Sequence, residues 1–153
     1  MKAKAAQAEI PLEFISVYRV PGKDKLLYQL LKERPALMNI SHQRMPGFAE
    51  HCRFVNSKPY REWYFVRRGS RIIGSVYLTQ LNEIGMFLFK PFRARGFERQ
   101  VLKKIIASPP KKRLLVNLSL KNEFYRKIFI SLGFKHIQNT YCLDCRPSRR
   151  IVR

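Results

Sequence analysis

The sequence predicts an α/β (α+β) domain built on a mixed, mostly antiparallel central sheet with helices on both faces. Three observations lead there. Runs rich in β-branched and aromatic residues alternate with stretches whose apolar residues recur at helical spacing. Three strand-like runs follow one another directly between Glu62 and Phe89, which calls for hairpins and antiparallel pairing. Strand and helix then alternate along the rest of the chain, an order that covers both faces of a sheet.

Leu12 to Val20 has the β-branched and aromatic content of a strand, and Pro21-Gly22 breaks it. Lys23 to Glu33 reads as a helix with Leu26, Leu27, Leu30 and Leu31 on one face. A loop through Pro35, Asn39 and His42 follows. Pro46 suits the first turn of a second helix, whose Phe48, Cys52 and Val55 share a face. Strands are expected at Glu62 to Arg67, Arg71 to Leu81 and Glu83 to Phe89, with Arg68-Gly69-Ser70 as the first hairpin turn. A helix from Phe97 to Ala107 turns Phe97, Val101, Leu102, Ile105 and Ile106 inward, and Ser108-Pro109-Pro110 ends it. Leu114 to Leu120 reads as another strand. Asn122 to Leu132 reads as a helix with Phe124, Ile128, Phe129 and Leu132 inward, and Gly133 stands where a C-terminal cap belongs. His136 to Leu143 is the last expected strand.

At 153 residues and 46% hydrophobic content the chain has the material for one well-buried core, and disorder is excluded. We divide it into a basic N-terminal extension (1–11), one domain (12–144) and a residual segment (145–153), either a basic tail or a partial last strand. No apolar run approaches the roughly 20 residues that cross a bilayer. The first residues lack the apolar core of a signal peptide. Three cysteines, an odd number, do not suggest a disulfide framework. The expectation is a soluble cytoplasmic protein. Cys142-Leu143-Asp144-Cys145 is a single Cys-x-x-Cys without a second pair, so we expect structural cysteines and no metal.

The net charge of +21, from 31 Lys and Arg against 10 Asp and Glu, suits nucleic acid, an anionic membrane surface or a phosphate-rich small molecule. The basic residues are scattered rather than gathered into one stripe, which weakens the nucleic-acid reading. Tyr60, Trp63 and Tyr64 interleave with Arg61, Arg67 and Arg68, a pattern open to base stacking. Strand periodicity accounts for the same aromatics as sheet-face residues.

Glu83 to Ile106 carries the most chemistry. An apolar strand runs into a helix through Arg93-Ala94-Arg95-Gly96. Such a turn points unpaired backbone N–H groups at one spot, where the positive end of the helix dipole adds to them. Two arginines supply charge-assisted donors at the same place. The combination points to a polyanionic cofactor bound through a phosphate or pyrophosphate.

Two motifs in this order resemble the GNAT superfamily of N-acetyltransferases, across residues 12 to 143. Arg93-Ala94-Arg95-Gly96-Phe97-Glu98 is similar to the family's pyrophosphate loop: Arg or Gln, two residues, Gly, one residue, then Gly or Ala. Asn122 opening a helix that ends in Leu132-Gly133-Phe134 is similar to its second signature. The segments Ile40 to Pro46, Lys58 to Tyr64 and Leu81 to Phe87 also resemble enzymes that acetylate the 4-amino group of nucleotide-linked amino sugars.

The resemblance implies acetyl-CoA as co-substrate, lying along the fourth strand. The pantetheine would pair with backbone at Leu88 and Phe89. The pyrophosphate would sit on Arg93, Ala94, Arg95, Gly96, Phe97 and Glu98, and Asn122 would hydrogen-bond the pantetheine arm. It also implies a primary amine of a small acceptor, with a nucleotide-linked amino sugar as the finer expectation. Acetyl transfer needs a neutral amine, an oxyanion donor and a departing thiolate. Glu83 is the expected base, with His42 and His51 behind it; a hairpin-end carboxylate paired with a nearby arginine is the alternative role for Glu83. The chain departs from the family in two instructive places. Glu98 stands where a small residue lets the loop close, and its carboxylate repels phosphate unless it swings away. Phe129 stands where the family's general-acid tyrosine belongs, so Tyr125, one turn earlier, is the candidate acid, with water as its substitute. The competing expectation is a GNAT-like module without catalysis that binds nucleic acid or an acidic partner.

Overall fold

The computed structural model describes residues 10–35, 44–108 and 113–141. Among these residues the sheet has four strands, β1 (Leu12–Ser16), β2 (Glu62–Arg68), β3 (Arg71–Leu78) and β4 (Ile84–Leu88), in the order β1-β2-β3-β4 with each neighbouring pair antiparallel. Helices α1 (Lys23–Glu33) and α2 (Phe48–Asn56) cover one face, and α3 (Phe97–Ala107) and α4 (Glu123–Ser131) cover the other.

Strand alternation divides the core in two. Trp63 and Phe65 pack with Val17, Leu27, Leu30 and Val55 under α1 and α2. Val66, Val76, Leu78, Ile84 and Leu88 pack with Val101, Leu102 and Ile105 of α3 and Tyr125 and Phe129 of α4. A bulge between Val66 and Arg67 lets the phase change in β3, so that Ile72 joins the α1–α2 side and Ile73 the other. Both faces are therefore apolar, which is why β2 and β3 read as nearly continuous hydrophobic runs.

The elements that form follow the expected order, but four expectations differ. The first strand stops at Ser16, because Val17–Arg19 forms a single 3-10 turn that buries Val17 completely. Leu114 to Leu120 is not a strand. It meets the sheet at one parallel bridge, Glu83↔Leu115, fixed by Ile84 N–H to the Leu115 carbonyl (2.8 Å) and Leu115 N–H to the Asn82 carbonyl (3.0 Å). Residues 136–141 form no strand either. They are exposed throughout, so their alternating pattern has no apolar face to cover. On α4 Tyr125 joins Phe129 as a buried residue, Ile128 and Leu132 pack partly buried against the same core as expected, and Phe124 is instead 45% exposed.

Residues 1–9, 36–43, 109–112 and 142–153 lie outside the described residues, and with them His42, Pro109, Pro110, Cys142, Cys145 and the proposed terminal segment. Among the described residues no helix is long and apolar enough to cross a membrane.

Candidate functional site

Among the described residues no strand pairs with the outer edge of β4, which is met only at its start by Leu115. Its ladder to β3 is bracketed by Thr79 N–H to the Glu83 carbonyl (3.0 Å) and Phe89 N–H to the Ile73 carbonyl (2.9 Å). Odd-numbered residues thus turn toward β3, and Ile84, Met86 and Leu88 turn their backbone outward. Ile84 N–H finds Leu115. Among the described residues, no hydrogen bond takes up the N–H of Met86 or Leu88. Contrary to expectation, Phe89 has its N–H committed to the sheet. Met86, which the sequence did not single out, takes its place on the open edge.

A 3-10 turn at Lys90–Phe92 leads from this edge into the basic loop. Ala94 (φ 56°) and Gly96 (φ 86°) both adopt left-handed backbone, which folds the chain into the start of α3 with Gly96 as its N-cap. Arg95 is exposed beside the first-turn N–H groups.

Arg93 turns the other way. Its Nε donates to the Leu88 carbonyl (2.7 Å), its Nη2 donates to the Glu33 carbonyl (3.0 Å) and lies 3.3 Å from Glu33 Oε2, and its guanidinium stacks 4.4 Å from the Phe87 ring centroid. It fastens the loop to the end of α1 rather than reaching for phosphate. Glu98 is 1% exposed and folds beneath the loop, where Oε1 accepts from Ala94 N–H at 2.7 Å. Its Oε2 is buried without a partner. The carboxylate does swing inward, yet it takes one of the loop's own donors.

Asn122 caps α4, its Oδ1 accepting from Tyr125 N–H at 3.3 Å. The carboxamide NH2 is the part not used by the cap. Tyr125 is packed in the core at 8% exposure. Burial raises its hydroxyl well above the usual tyrosine range and the Glu98 charge adds to this, while Arg93 and Arg34 oppose. The raised value makes the hydroxyl a poor proton donor. Glu83 lies at the bridge to Leu115. Its Oε2 accepts from Thr79 Oγ1 (3.1 Å) and its Oε1 from Asn117 Nδ2 (2.8 Å), so the carboxylate clamps the hairpin to the 113–118 segment.

On the opposite face a cavity of about 410 Å³ opens between α1, α2 and the sheet. Its wall is aromatic. Tyr60 and Tyr77 stack with ring centroids 3.8 Å apart, and Trp63 meets Tyr60 edge-on at 4.8 Å. Trp63 Nε1 donates to the buried Ser75 Oγ at 2.8 Å, which fixes the indole. Burial, with Tyr77 beside it, raises the Tyr60 hydroxyl so that it stays protonated. Gly85 makes this wall possible, because a Cβ there would overlap the Tyr77 ring. Phe87 of β4, leucines of α1, and Arg34, Arg44, Glu50 and His51 also line it. Glu83 does not reach this cavity.

His51 is 5% exposed, and its Nε2 lies 3.2 Å from the Asp24 carbonyl oxygen. Burial lowers its pKa below the ordinary 6.5, against the raising effect of the Asp24 carbonyl and charge. The buried stripe of α2 is His51 and Val55, not the Phe48–Cys52–Val55 face expected; Phe48 is 42% exposed. The four-residue spacing of His51 and Val55 was the readable signal.

No protein-family model matches the sequence, and no curated protein matches it significantly. Solved structures do match in fold. A domain from Methanocaldococcus jannaschii superposes with TM-score 0.66 at 20% identity, over 84% of this chain and 91% of that one. An acetyltransferase from Thermus thermophilus gives 0.64 at 14% identity, over 86% and 91%. A ribosomal-protein alpha-N-acetyltransferase in complex with coenzyme A gives 0.62 at 15%, over 79% and 78%. The chain thus has the fold of acetyltransferases of the GNAT type.

Proposed function

We propose that the protein is an acetyl-CoA-dependent N-acetyltransferase acting on a primary amine of a small acceptor. The observation that carries this reading is the open edge of β4 running directly into a turn that opens α3. An extended amide-bearing chain can pair with Met86 and Leu88 while its diphosphate meets the N–H groups of Arg95 to Glu98, at and just before the start of α3, with the Arg95 side chain beside them. A fold shared with an acetyltransferase that holds coenzyme A supports the same placement. In this arrangement Arg93 shapes the loop, and Asn122 offers its NH2 to the pantetheine arm. The outward N–H of Met86 is the oxyanion donor where the thioester carbonyl becomes tetrahedral.

The acceptor occupies the aromatic cavity, whose rim carries Arg34 and Arg44. Both arginines suit an acceptor that is itself anionic, so nucleotide-linked amino sugars are the first class to test. The surplus of positive charge steers both substrates inward.

Thermal unfolding with increasing acetyl-CoA tests the cofactor half of the proposal. Ligand at 100 times its dissociation constant stabilises a native state by about 2.7 kcal/mol, and we expect a saturable rise of that order. Absence of any shift at millimolar acetyl-CoA refutes the reading, and it favours a module that binds nucleic acid or an acidic partner. Mass analysis after incubation with a panel of primary amines, nucleotide-linked amino sugars included, tests the acceptor half.

A further inference from the structure

We propose that His51 is the base that receives the acceptor amine's proton, acting through Nδ1 while the main-chain carbonyl of Asp24 holds Nε2. The assignment rests on the transferase reading above. A carbonyl oxygen can only accept, so a neutral His51 hydrogen-bonded to Asp24 carries its proton on Nε2 and leaves the Nδ1 lone pair unprotonated. One nitrogen fixes the tautomer and the other does the chemistry. The ring plane is held by Tyr28 at 5.2 Å and Phe48 at 6.5 Å between centroids. Tyr28 is itself anchored by its hydroxyl, which donates to the Pro46 carbonyl at 3.0 Å. An oriented imidazole thus borders a cavity that is walled by aromatic rings and reaches β4 through Phe87.

The charged groups around His51 come from every element packed there. Asp24 of α1 favours the imidazolium, Glu50 lies on the same helix and is paired with Arg44 at 3.5 Å, and Arg34 follows α1. Burial outweighs Asp24, and the ring is neutral at neutral pH. Glu83, the carboxylate the sequence favoured, has both oxygens engaged by Thr79 and Asn117 and lies outside this cavity.

The neutral amine attacks the thioester carbonyl carbon, forming the C–N bond. Its nitrogen then gives one proton to His51 Nδ1. The C–S bond breaks, and the departing thiolate takes a proton from water. The imidazolium afterwards returns its proton to solvent.

His51→Gln is the direct test, because the glutamine amide can still donate to the Asp24 carbonyl but is no base. Acetylation of phenethylamine and of a nucleotide-linked 4-amino sugar is followed from about pH 5 to about pH 9. We expect a wild-type acid limb below pH 6.5 that disappears in the variant. We also expect kcat/KM to fall about 10²- to 10⁴-fold, the usual range for a lost acid–base group. KM for acetyl-CoA stays unchanged, and added imidazole restores turnover in His51→Ala. Nitrogen-15 NMR of the wild-type ring should show the Nε2–H tautomer. A folded His51→Gln that keeps both its rate and its acid limb overturns the proposal alone, as does an Nδ1–H tautomer. A wild type that acetylates neither amine refutes the transferase reading, and the role of His51 falls with it.

Discussion

Removing the Glu98 charge should tighten acetyl-CoA binding. One Glu98 oxygen takes the Ala94 N–H at 2.7 Å and the other is buried without a partner, all beneath the turn that opens α3. The carboxylate therefore neutralises part of the positive end of the helix before any phosphate arrives. A unit charge facing a phosphate roughly 6 Å away costs about 3 kcal/mol at an effective dielectric of 20 and under 1 kcal/mol in bulk water. The turn is exposed at Arg95, so we place the effect at about 1–3 kcal/mol, or about 5- to 150-fold in affinity. Glu98→Gln retains an oxygen for Ala94 but buries an NH2 with no acceptor, at about 1–3 kcal/mol of stability. Glu98→Ala supplies the companion variant without that penalty. Titration calorimetry with acetyl-CoA at low and high salt reads the outcome, and the gain should shrink at high salt. Equal or weaker binding in both folded variants would refute the idea that the carboxylate competes with the cofactor.

Gly85→Ala places a methyl group in the Tyr77 ring, so it should cost about 1–3 kcal/mol of stability by denaturant unfolding and weaken amine binding more than acetyl-CoA binding. Arg93→Lys cannot reproduce the fork that reaches Leu88 and Glu33 together; we expect a lower melting temperature, with acetyl-CoA affinity falling only as far as the loop loosens. Asn122→Ala loses the cap of α4 and should cost about 1 kcal/mol, whereas Asn122→Asp should retain most of it. His51 also links stability to pH. Its folded pKa lies below its unfolded value of about 6.5, so the unfolded chain binds more protons as pH falls. Its contribution is complete above pH 6.5 and is lost as pH drops toward the folded value, a slope that His51→Gln should remove from melting curves across that window.

Most of the fold was legible because it depends on patterns that short windows carry. The hairpin Arg68-Gly69-Ser70, the leucine stripe of α1 and the glycine after α4 each fix an element from a few residues. The failures have a common physical origin. Leu114 to Leu120 has strand composition, but a strand needs a partner along its length, and the segment meets β4 only at Leu115. His136 to Leu143 alternates correctly, yet residues 136–141 face solvent. Pairing is a tertiary property, and composition does not encode it.

The site divides along the same line. Backbone features were readable, since a glycine-bearing basic turn after a strand places N–H groups at the helix start whatever the side chains do. Side-chain directions were not. Arg93 and Arg95 are indistinguishable in a motif, but the left-handed turn at Ala94 sends Arg93 back to Glu33 and leaves Arg95 outside. Glu98 reads as a carboxylate that repels phosphate unless it swings away, and the sequence does not say which it does. Only the packing of α3 against the sheet shows that this position points inward. His51 was obscured by choosing the apolar stripe of α2 from Phe48 and Cys52. Turning that helix by one residue puts an imidazole in the interior beside the Asp24 carbonyl, where its cost of burial is also what keeps it neutral. The group that violates the apolar pattern is therefore the stronger candidate for chemistry, because packing alone would have favoured a leucine there.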